Sequence, residues 1–213
     1  VTYWPSHITF EAYSKLFTTT VNFFAAMKNS FIVASLTTIV SLTASTLAAY
    51  AFSRYQFTGR KILMCTFLCN NMFPTVLLLI PLYTTFTIPF SVWLLLGFLN
   101  DLPMSLEEAA LVDGCNRGSA FLKIILPILG PCLVATGVYI FMTSWNEYTF
   151  AMMFTNTDTR TIPVALKSLI GQLGVQWDLL TAGGIITIIP VCIMLFFAQK
   201  RLVEGLTAGA VKG

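Results

Sequence analysis

Side chains that could carry out chemistry are few in this chain and lie far apart along it. The single histidine, His7, belongs to no Ser/His/Asp constellation of the kind that hydrolases use, and no H-E-x-x-H sequence occurs. Of the 5 cysteines, Cys65 and Cys69 share a helical face, but none has the spacing of a metal site. A G-x4-G-K-[ST] phosphate-binding loop is also absent from the sequence. The sequence therefore predicts a protein that is not an enzyme and that holds no metal or cofactor in this chain.

A short charged segment between two apolar stretches carries the most distinctive polar pattern. Ser105 and Glu108 have the S-x-x-E spacing of a capping box, which predicts that a helix begins directly after Ser105. Gly114 is placed to end this helix in the left-handed conformation. Asn116 is placed to cap a second short helix that runs toward Pro127, where the next membrane span begins. The segment is thus predicted to form a rigid knob of two short helices joined at a glycine.

One face of this knob is predicted to insert into a groove of another protein. Leu106, Ala109 and Ala110 share a face of the first helix, where small alanines permit close approach, while Glu107 and Asp113 point away. The alternative is an amphipathic helix on the lipid surface, but the apolar face is small for that role and lipid contact gives the glycine no purpose. The candidate contact residues are Glu107, Glu108, Ala109, Ala110, Asp113, Gly114, Leu126 and Pro127.

The composition is that of a membrane protein. Of 213 residues, 56% are hydrophobic and 10% are charged, compared with roughly 25% charged in a soluble domain. Because an ionised side chain in the bilayer core is costly, uncharged runs of about 20 residues locate membrane-spanning helices. These runs cover 29–53, 62–100, 124–146 and 179–199. The sequence therefore predicts an all-α fold, a polytopic transmembrane helical bundle.

The positions of Lys and Arg set the predicted topology. They cluster after the first run, in the charged segment 101–126 and in the tail 200–213, and the positive-inside rule places all three in the cytoplasm. An even number of spans must then separate the first two clusters, so 62–100 is divided in two, with residues expected to be missing at Tyr83-Thr84. Residues 1–28 form an outer segment, and one further span is expected to precede it. The predicted spans of the domain 29–199 are 29–53, 62–83, 84–100, 128–149 and 180–199.

Polar and aromatic side chains inside or beside the spans are the candidates for lining a path through the membrane. Asn70 and Asn71 lie within a span, where an unpaired amide is costly, so they either line a path or bond to a neighbouring helix. Glu147 lies near the outer end of a span beside Trp145, and an interfacial aromatic belt with one solvated acid explains it equally well. The candidate path residues are Asn70, Asn71, Trp145, Asn146 and Glu147.

Taken together, these features resemble the permease subunits of ABC importers. The run E-A-A-x3-G-x9-I-x-L-P, at residues 108–127, is the pattern of their coupling loop. The similarity to the MalG-like carbohydrate branch of the family covers nearly the whole chain. The chain departs from that branch in two ways. It lacks the family's first span, and the outer connection between the third and fourth spans is shorter. The other segments that carry it are 9–13, 29–30, 73–74, 145–147 and 205–213.

The resemblance implies a type I permease fold of six spans, five of them present here, in a bacterial or archaeal inner membrane. It implies that the chain forms half of the translocation path for a sugar or oligosaccharide, together with a second, homologous permease. Two cytoplasmic ATPase subunits would bind ATP and Mg²⁺ and receive the coupling loop, and an extracellular solute-binding protein would deliver the cargo. The tail, with Thr207, Gly209 and Lys212, would be a second contact with the ATPase.

Two other functions are weighed against this one. The coupling motif does not encode the cargo, so an ABC permease for a non-sugar solute remains open. A secondary carrier driven by protons or sodium would require acids in the middle of its spans, which the uncharged runs lack, and would have no use for the loop at 105–127.

Overall fold

The computed structural model describes residues 9–18, 22–56, 58–60, 62–63, 79–171 and 174–210, the last ten of these by their backbone alone. It confirms the predicted all-α fold, with one two-stranded antiparallel hairpin among the described residues. In chain order the elements are α1 (Glu11–Thr18), α2 (Phe23–Arg54), α3 (Leu79–Asp101), α4 (Ser105–Val112), α5 (Arg117–Ala120), a π-helical turn (Phe121–Ile125), α6 (Leu126–Ile128), α7 (Gly130–Trp145), α8 (Thr149–Phe154), α9 (Ile162–Ser168), β1 (Ile170–Gly171), β2 (Gly174–Val175) and α10 (Trp177–Ala210).

Within the described part of the chain, α2, α3 and α10 are long and apolar enough to cross a membrane. A fourth candidate is the segment Arg117–Ile128 followed by α7, two helical pieces that meet at a 75° bend. The bend falls where Gly130 and Pro131 follow Pro127, residues that commonly break or bend helices. The described helices therefore account for four of the predicted crossings, while most of the predicted span 62–83 lies outside the described residues.

Two predicted boundaries differ from the structure. The division at Tyr83-Thr84 is wrong, because α3 runs without a break from Leu79 to Asp101. Pro81 does not prevent this, since it lies in the first turn, where the missing N–H has no partner in a helix. The first span begins at Phe23 instead of residue 29, because the side chain of Asn22 accepts a hydrogen bond from the backbone N–H of Ala25 and caps the helix there.

Helix α2 lies at the centre of the bundle and packs against α3 and α7. Its small residues Ala34, Ser41 and Ser45 are fully buried, so this stripe serves packing within the chain. Ser41 Oγ and Thr87 Oγ1, 2.8 Å apart, join α2 to α3 by a buried hydrogen bond. On the other side Gly137 of α7 faces Thr38 and Leu42 of α2 at an ordinary packing distance.

The C-terminal ends of α2 and α3 lie at the same end of the bundle, here called the inner end. Ser53 Oγ donates a hydrogen bond to Asn100 Oδ1 at 3.3 Å, and Arg54 Nη2 donates to the carbonyl oxygen of Leu102 at 3.4 Å. The first two basic clusters, after α2 and after α3, therefore lie on one side. This confirms the prediction that these two clusters lie on the same side of the membrane.

The opposite, outer end is covered by the short elements. Asn29 Nδ2 donates to the carbonyl oxygen of Asp158 at 3.1 Å, and the backbone N–H of Ile162 donates to Ser30 Oγ at 2.7 Å. These bonds fasten the loop before α9 to the beginning of α2. Leu16 of α1 is buried in a cluster with Phe23 of α2 and residues that begin α10. Part of the predicted outer segment, 1–28, is thus helix α1, and its last residues belong to α2.

Candidate functional site

The corner of the predicted knob forms largely as expected. Gly114 has a φ of 86° and ends α4. The N–H of Cys115 donates to the carbonyl oxygen of Ala110 at 3.0 Å and that of Gly114 to Leu111 at 3.1 Å, which is the Schellman arrangement. Asn116 then caps α5 by accepting a hydrogen bond from the N–H of Ser119 at 2.8 Å.

The predicted capping box is wrong. Ser105 is the first residue of α4, and among the described residues no side chain caps its N terminus. The preceding turn takes over this role, since the N–H groups of Leu106 and Glu107 donate to the carbonyl oxygens of Pro103 and Met104 at 3.3 and 3.0 Å. Met104 already has helical φ and ψ, so the helix starts before a serine side chain could cap it.

The orientation of α4 differs in part from the predicted face. Glu107 and Ala110 point toward the bundle and are 6% and 2% exposed. Leu106 and Ala109 face outward as predicted, and Val112 at the end of the helix is 87% exposed. The other exposed residues of the knob include Glu108, Leu111, Asp113, Gly114, Leu122 and Pro127, while Leu126 is half-buried. The face available for a partner is therefore centred on Ala109 and Val112, and Glu107 and Ala110 do not belong to it.

The underside of the knob is fixed to the inner end of the bundle. Ala120, Phe121 and Ile125 are buried, and the last two join an apolar cluster with residues of α2, α3 and α7. The ring of Tyr50 lies 4.5 Å from that of Phe121, centroid to centroid. Burial of this apolar surface stabilises the contact between the knob and these helices.

Polar contacts join α4 itself to the end of α2. Arg54 Nε lies 3.1 Å from Glu107 Oε2, and both side chains are almost fully buried. The hydroxyl of Tyr50 donates a hydrogen bond to Glu107 Oε1. This group was not predicted from the sequence, although Tyr50 and Arg54 are four residues apart and hence on one helical face. Both lie on the side of the membrane that also carries Glu107.

At the outer end, the carboxylate of Glu147 accepts hydrogen bonds from neighbouring parts of the chain. Its Oε2 accepts a hydrogen bond of 2.6 Å from the hydroxyl of Tyr83, which joins α3 to the segment after α7. The same carboxylate accepts bonds from the N–H groups of Phe150 and Ala151 at 2.8 and 3.0 Å, at the beginning of α8. A carboxylate at a helix N-terminus is favourable in itself. These contacts account for the position of Glu147, and its place on a solute path stays a prediction.

Trp145 and Asn146, the other candidate path residues within the described part of the chain, do not form a polar site. Trp145 is 1% exposed and packs in an apolar cluster of α2, α7 and α9. Asn146 is exposed, and its side-chain amide donates to the carbonyl oxygen of Met142 at 2.9 Å. Asn70 and Asn71 lie outside the described residues, so the prediction for them stands untested. In the tail, Thr207 and Gly209 lie in α10, described there by its backbone, and Lys212 is outside the described residues.

Comparison with known proteins gives a consistent result. Residues 19–207 match the family described as binding-protein-dependent transport system inner membrane component. The trehalose/maltose transport system permease protein MalG of Thermococcus litoralis is 38% identical, over 91% of this chain and 77% of its own. The trehalose transport system permease protein SugB of Mycobacterium tuberculosis is 33% identical, over 98% of this chain and 84% of its own.

Among solved structures, one match is the crystal structure of a bacterial ABC transporter involved in the import of the acidic polysaccharide alginate. Its TM-score is 0.77 at 22% identity, and the match covers 92% of this chain and 80% of that chain. At this identity the likeness concerns the fold, and it agrees with the membrane bundle described above.

Proposed function

The chain belongs to the family of binding-protein-dependent transport system inner membrane components, and on that premise we propose that it forms half of the path by which an ATP-driven importer moves a sugar or oligosaccharide across the cell membrane. The relatives that carry sugar names are similar along almost the whole chain, which favours a carbohydrate cargo over other solutes. A second, homologous permease completes the path, and an extracellular solute-binding protein delivers the sugar to its outer end.

The knob at 105–127 is the part of the chain that receives the energy. Two cytoplasmic ATPase subunits bind ATP and Mg²⁺, and one of them accepts the exposed face of α4 in a groove. This chain supplies no cofactor-binding group of its own to that step. The tail at 200–213, with Thr207, Gly209 and Lys212, is a second contact with the ATPase.

One observation carries this proposal. The knob has a buried underside and an exposed tip at the same time: Phe121 and Ile125 are held in the bundle, whereas Val112 is 87% exposed. A helix that merely lay on lipid would turn its apolar residues toward the bilayer. Here small and apolar residues at Ala109 and Val112 face away from the bundle, as a surface that docks into another protein requires.

The test is the set of proteins that copurify with the tagged chain in mild detergent. Mass spectrometry is expected to recover an ATPase and a second permease with the wild-type chain. Replacing the exposed tip, Val112→Arg, is expected to remove the ATPase and retain the permease, because a charge enters the docking face while the bundle is untouched. The matched control is Phe10→Arg, which changes an apolar residue that is 74% exposed in the outer segment before α1.

Recovery of the wild-type chain without any ATPase would contradict the proposal. So would an ATPase that copurifies equally well with Val112→Arg, since the knob would then not be its binding site.

A further inference from the structure

The buried carboxylate of Glu107 forms the centre of a three-residue group at the inner end. Arg54 and Glu107 are 4% and 8% exposed in their side chains, with 3.1 Å between Nε and Oε2. The other carboxylate oxygen accepts a hydrogen bond from the hydroxyl of Tyr50. Both partners come from the last two turns of α2, and Glu107 comes from α4. We name these three side chains the inner-end triad.

Arg54 also holds the turn that leads into α4. Its Nη2 donates to the carbonyl oxygen of Leu102 at 3.4 Å, and its Nη1 contacts the sulfur of Met104 at 2.8 Å. The planar guanidinium thus contacts one segment at three points. These are Leu102 in the preceding turn, Met104 directly before α4, and Glu107 within α4. Nη2 donates a hydrogen bond, whereas Nε and Glu107 Oε2 form an ion pair without hydrogen-bond geometry.

Tyr50 extends the link to the second half of the knob. Its ring packs at 4.5 Å against Phe121, which follows α5, while its hydroxyl binds Glu107 of α4. The two helices on either side of Gly114 are therefore fixed to one residue of α2.

A buried ion pair is not the arrangement expected if its only role is to stabilise the contact between α2 and α4. Apolar residues of similar size often hold two elements together equally well or better, because the charges need not leave water. What the group adds is geometry, since the hydrogen bonds of Tyr50 to Glu107 and of Arg54 to Leu102 are satisfied in one arrangement and not in neighbouring ones. Such directional pairs are best attested where register or a switch between states must be specified.

We propose that the inner-end triad is the mechanical link by which movement of the docked knob is passed into α2, so that Glu107 is a positioning residue for transport and not part of the docking face. The proposal rests on the proposed function. Helix α2 is the suitable recipient because it packs on both α3 and α7, so its displacement is shared with the rest of the bundle. Energetic coupling between distant sites travels through such packed and hydrogen-bonded elements.

The experiment uses the complete complex in proteoliposomes, with import of radiolabelled maltose and trehalose and release of inorganic phosphate measured in the same vesicles. Glu107→Gln keeps the shape of the side chain and removes its charge, and Tyr50→Phe removes one hydroxyl and keeps the ring. Asp101→Asn is the control, since it neutralises an exposed acid at the same end of the bundle. The quantity compared is the number of sugar molecules imported per ATP hydrolysed.

We expect both variants to assemble with the ATPase and to hydrolyse ATP, while the import per ATP falls by about tenfold for Glu107→Gln and by less for Tyr50→Phe. Arg54→Gln combined with Glu107→Gln should lose no more than the larger single loss, because both changes remove the same interaction. The control should import as the wild type does.

The proposal is overturned if both variants assemble and keep the wild-type ratio of import to hydrolysis, or if they lose only yield or thermal stability. If Glu107→Gln fails to assemble, Tyr50→Phe decides, since it leaves the ion pair and the ring packing in place. The proposed function fails in a different way, namely when the wild-type complex itself imports neither sugar on addition of ATP.

Discussion

Replacing Gly114 by valine is expected to lower ATP-driven import by about 5- to 30-fold while the chain remains in the membrane. The glycine has a φ of 86°, a region that costs an L-residue roughly 1–2 kcal/mol and is least accessible to a β-branched one. A cost of one or two kcal/mol changes the population of the docking conformation by a factor of about 5–30. The effect arises from the backbone, because no atom lies within 4 Å of the place that a Cβ would occupy.

The matched control is Gly59→Val. Gly59 has a φ of 93°, also has open space at the Cβ position, and lies in the loop after α2 on the same side of the membrane. The two substitutions therefore carry the same kind of local cost, and only one of them distorts the knob. Uptake of labelled sugar and copurification of the ATPase measure the result. Equal losses for both variants would show that strain on the inner side, and not the shape of the knob, reduces transport.

Replacing Gly183 by valine is expected to destabilise the folded chain by roughly 1–3 kcal/mol, the usual cost of overfilling a packed core. A Cβ at this position would lie 2.7 Å from Leu166 Cδ2 and 3.3 Å from Phe23 Cε2. Leu166 can move, but Phe23 is fully buried in the cluster at the outer end and has little room. The midpoint of thermal unfolding should therefore fall by several degrees, at about 2–4 °C per kcal/mol for a chain of this size.

Gly184→Val provides the control for this prediction. It makes the same chemical change one residue along α10, where no atom lies within 4 Å of the new Cβ. Any general effect of valine in place of glycine in a helix is thus common to both variants. The unfolding midpoint of the detergent-solubilised protein is the measurement. A Gly184 variant as unstable as the Gly183 variant would contradict the close approach of α9, α10 and α2 described here.

The features that sequence could predict are those set by a few neighbouring residues. Gly114 and Asn116 were identified correctly because a left-handed helix end and an amide cap depend on the chain within four residues on either side. The uncharged runs likewise indicated α2, α3, α7 and α10, because the bilayer penalises charge wherever it occurs.

Other features depend on contact between residues distant in sequence, which the sequence pattern does not reveal. Glu107 was counted among the candidate contacts of the knob and expected to point away from the face of Leu106 and Ala109, but its buried partners Tyr50 and Arg54 come from another helix. Glu147 was a candidate for a solute path, which stays a prediction, and its contacts with Tyr83 and with the N terminus of α8 were not evident from the sequence. The boundary at Tyr83-Thr84 rested on the length of an uncharged run, and charge alone does not mark where a helix begins.

The most direct test of the account is sugar uptake by the purified complex in proteoliposomes, with energy supplied either as ATP on the side of the ATPase or as a proton or sodium gradient. We predict that labelled maltose or trehalose accumulates with ATP, in the presence of the solute-binding protein, and does not accumulate with either gradient alone. Accumulation driven by a gradient, by this chain without any ATPase, would contradict the account and establish a secondary carrier.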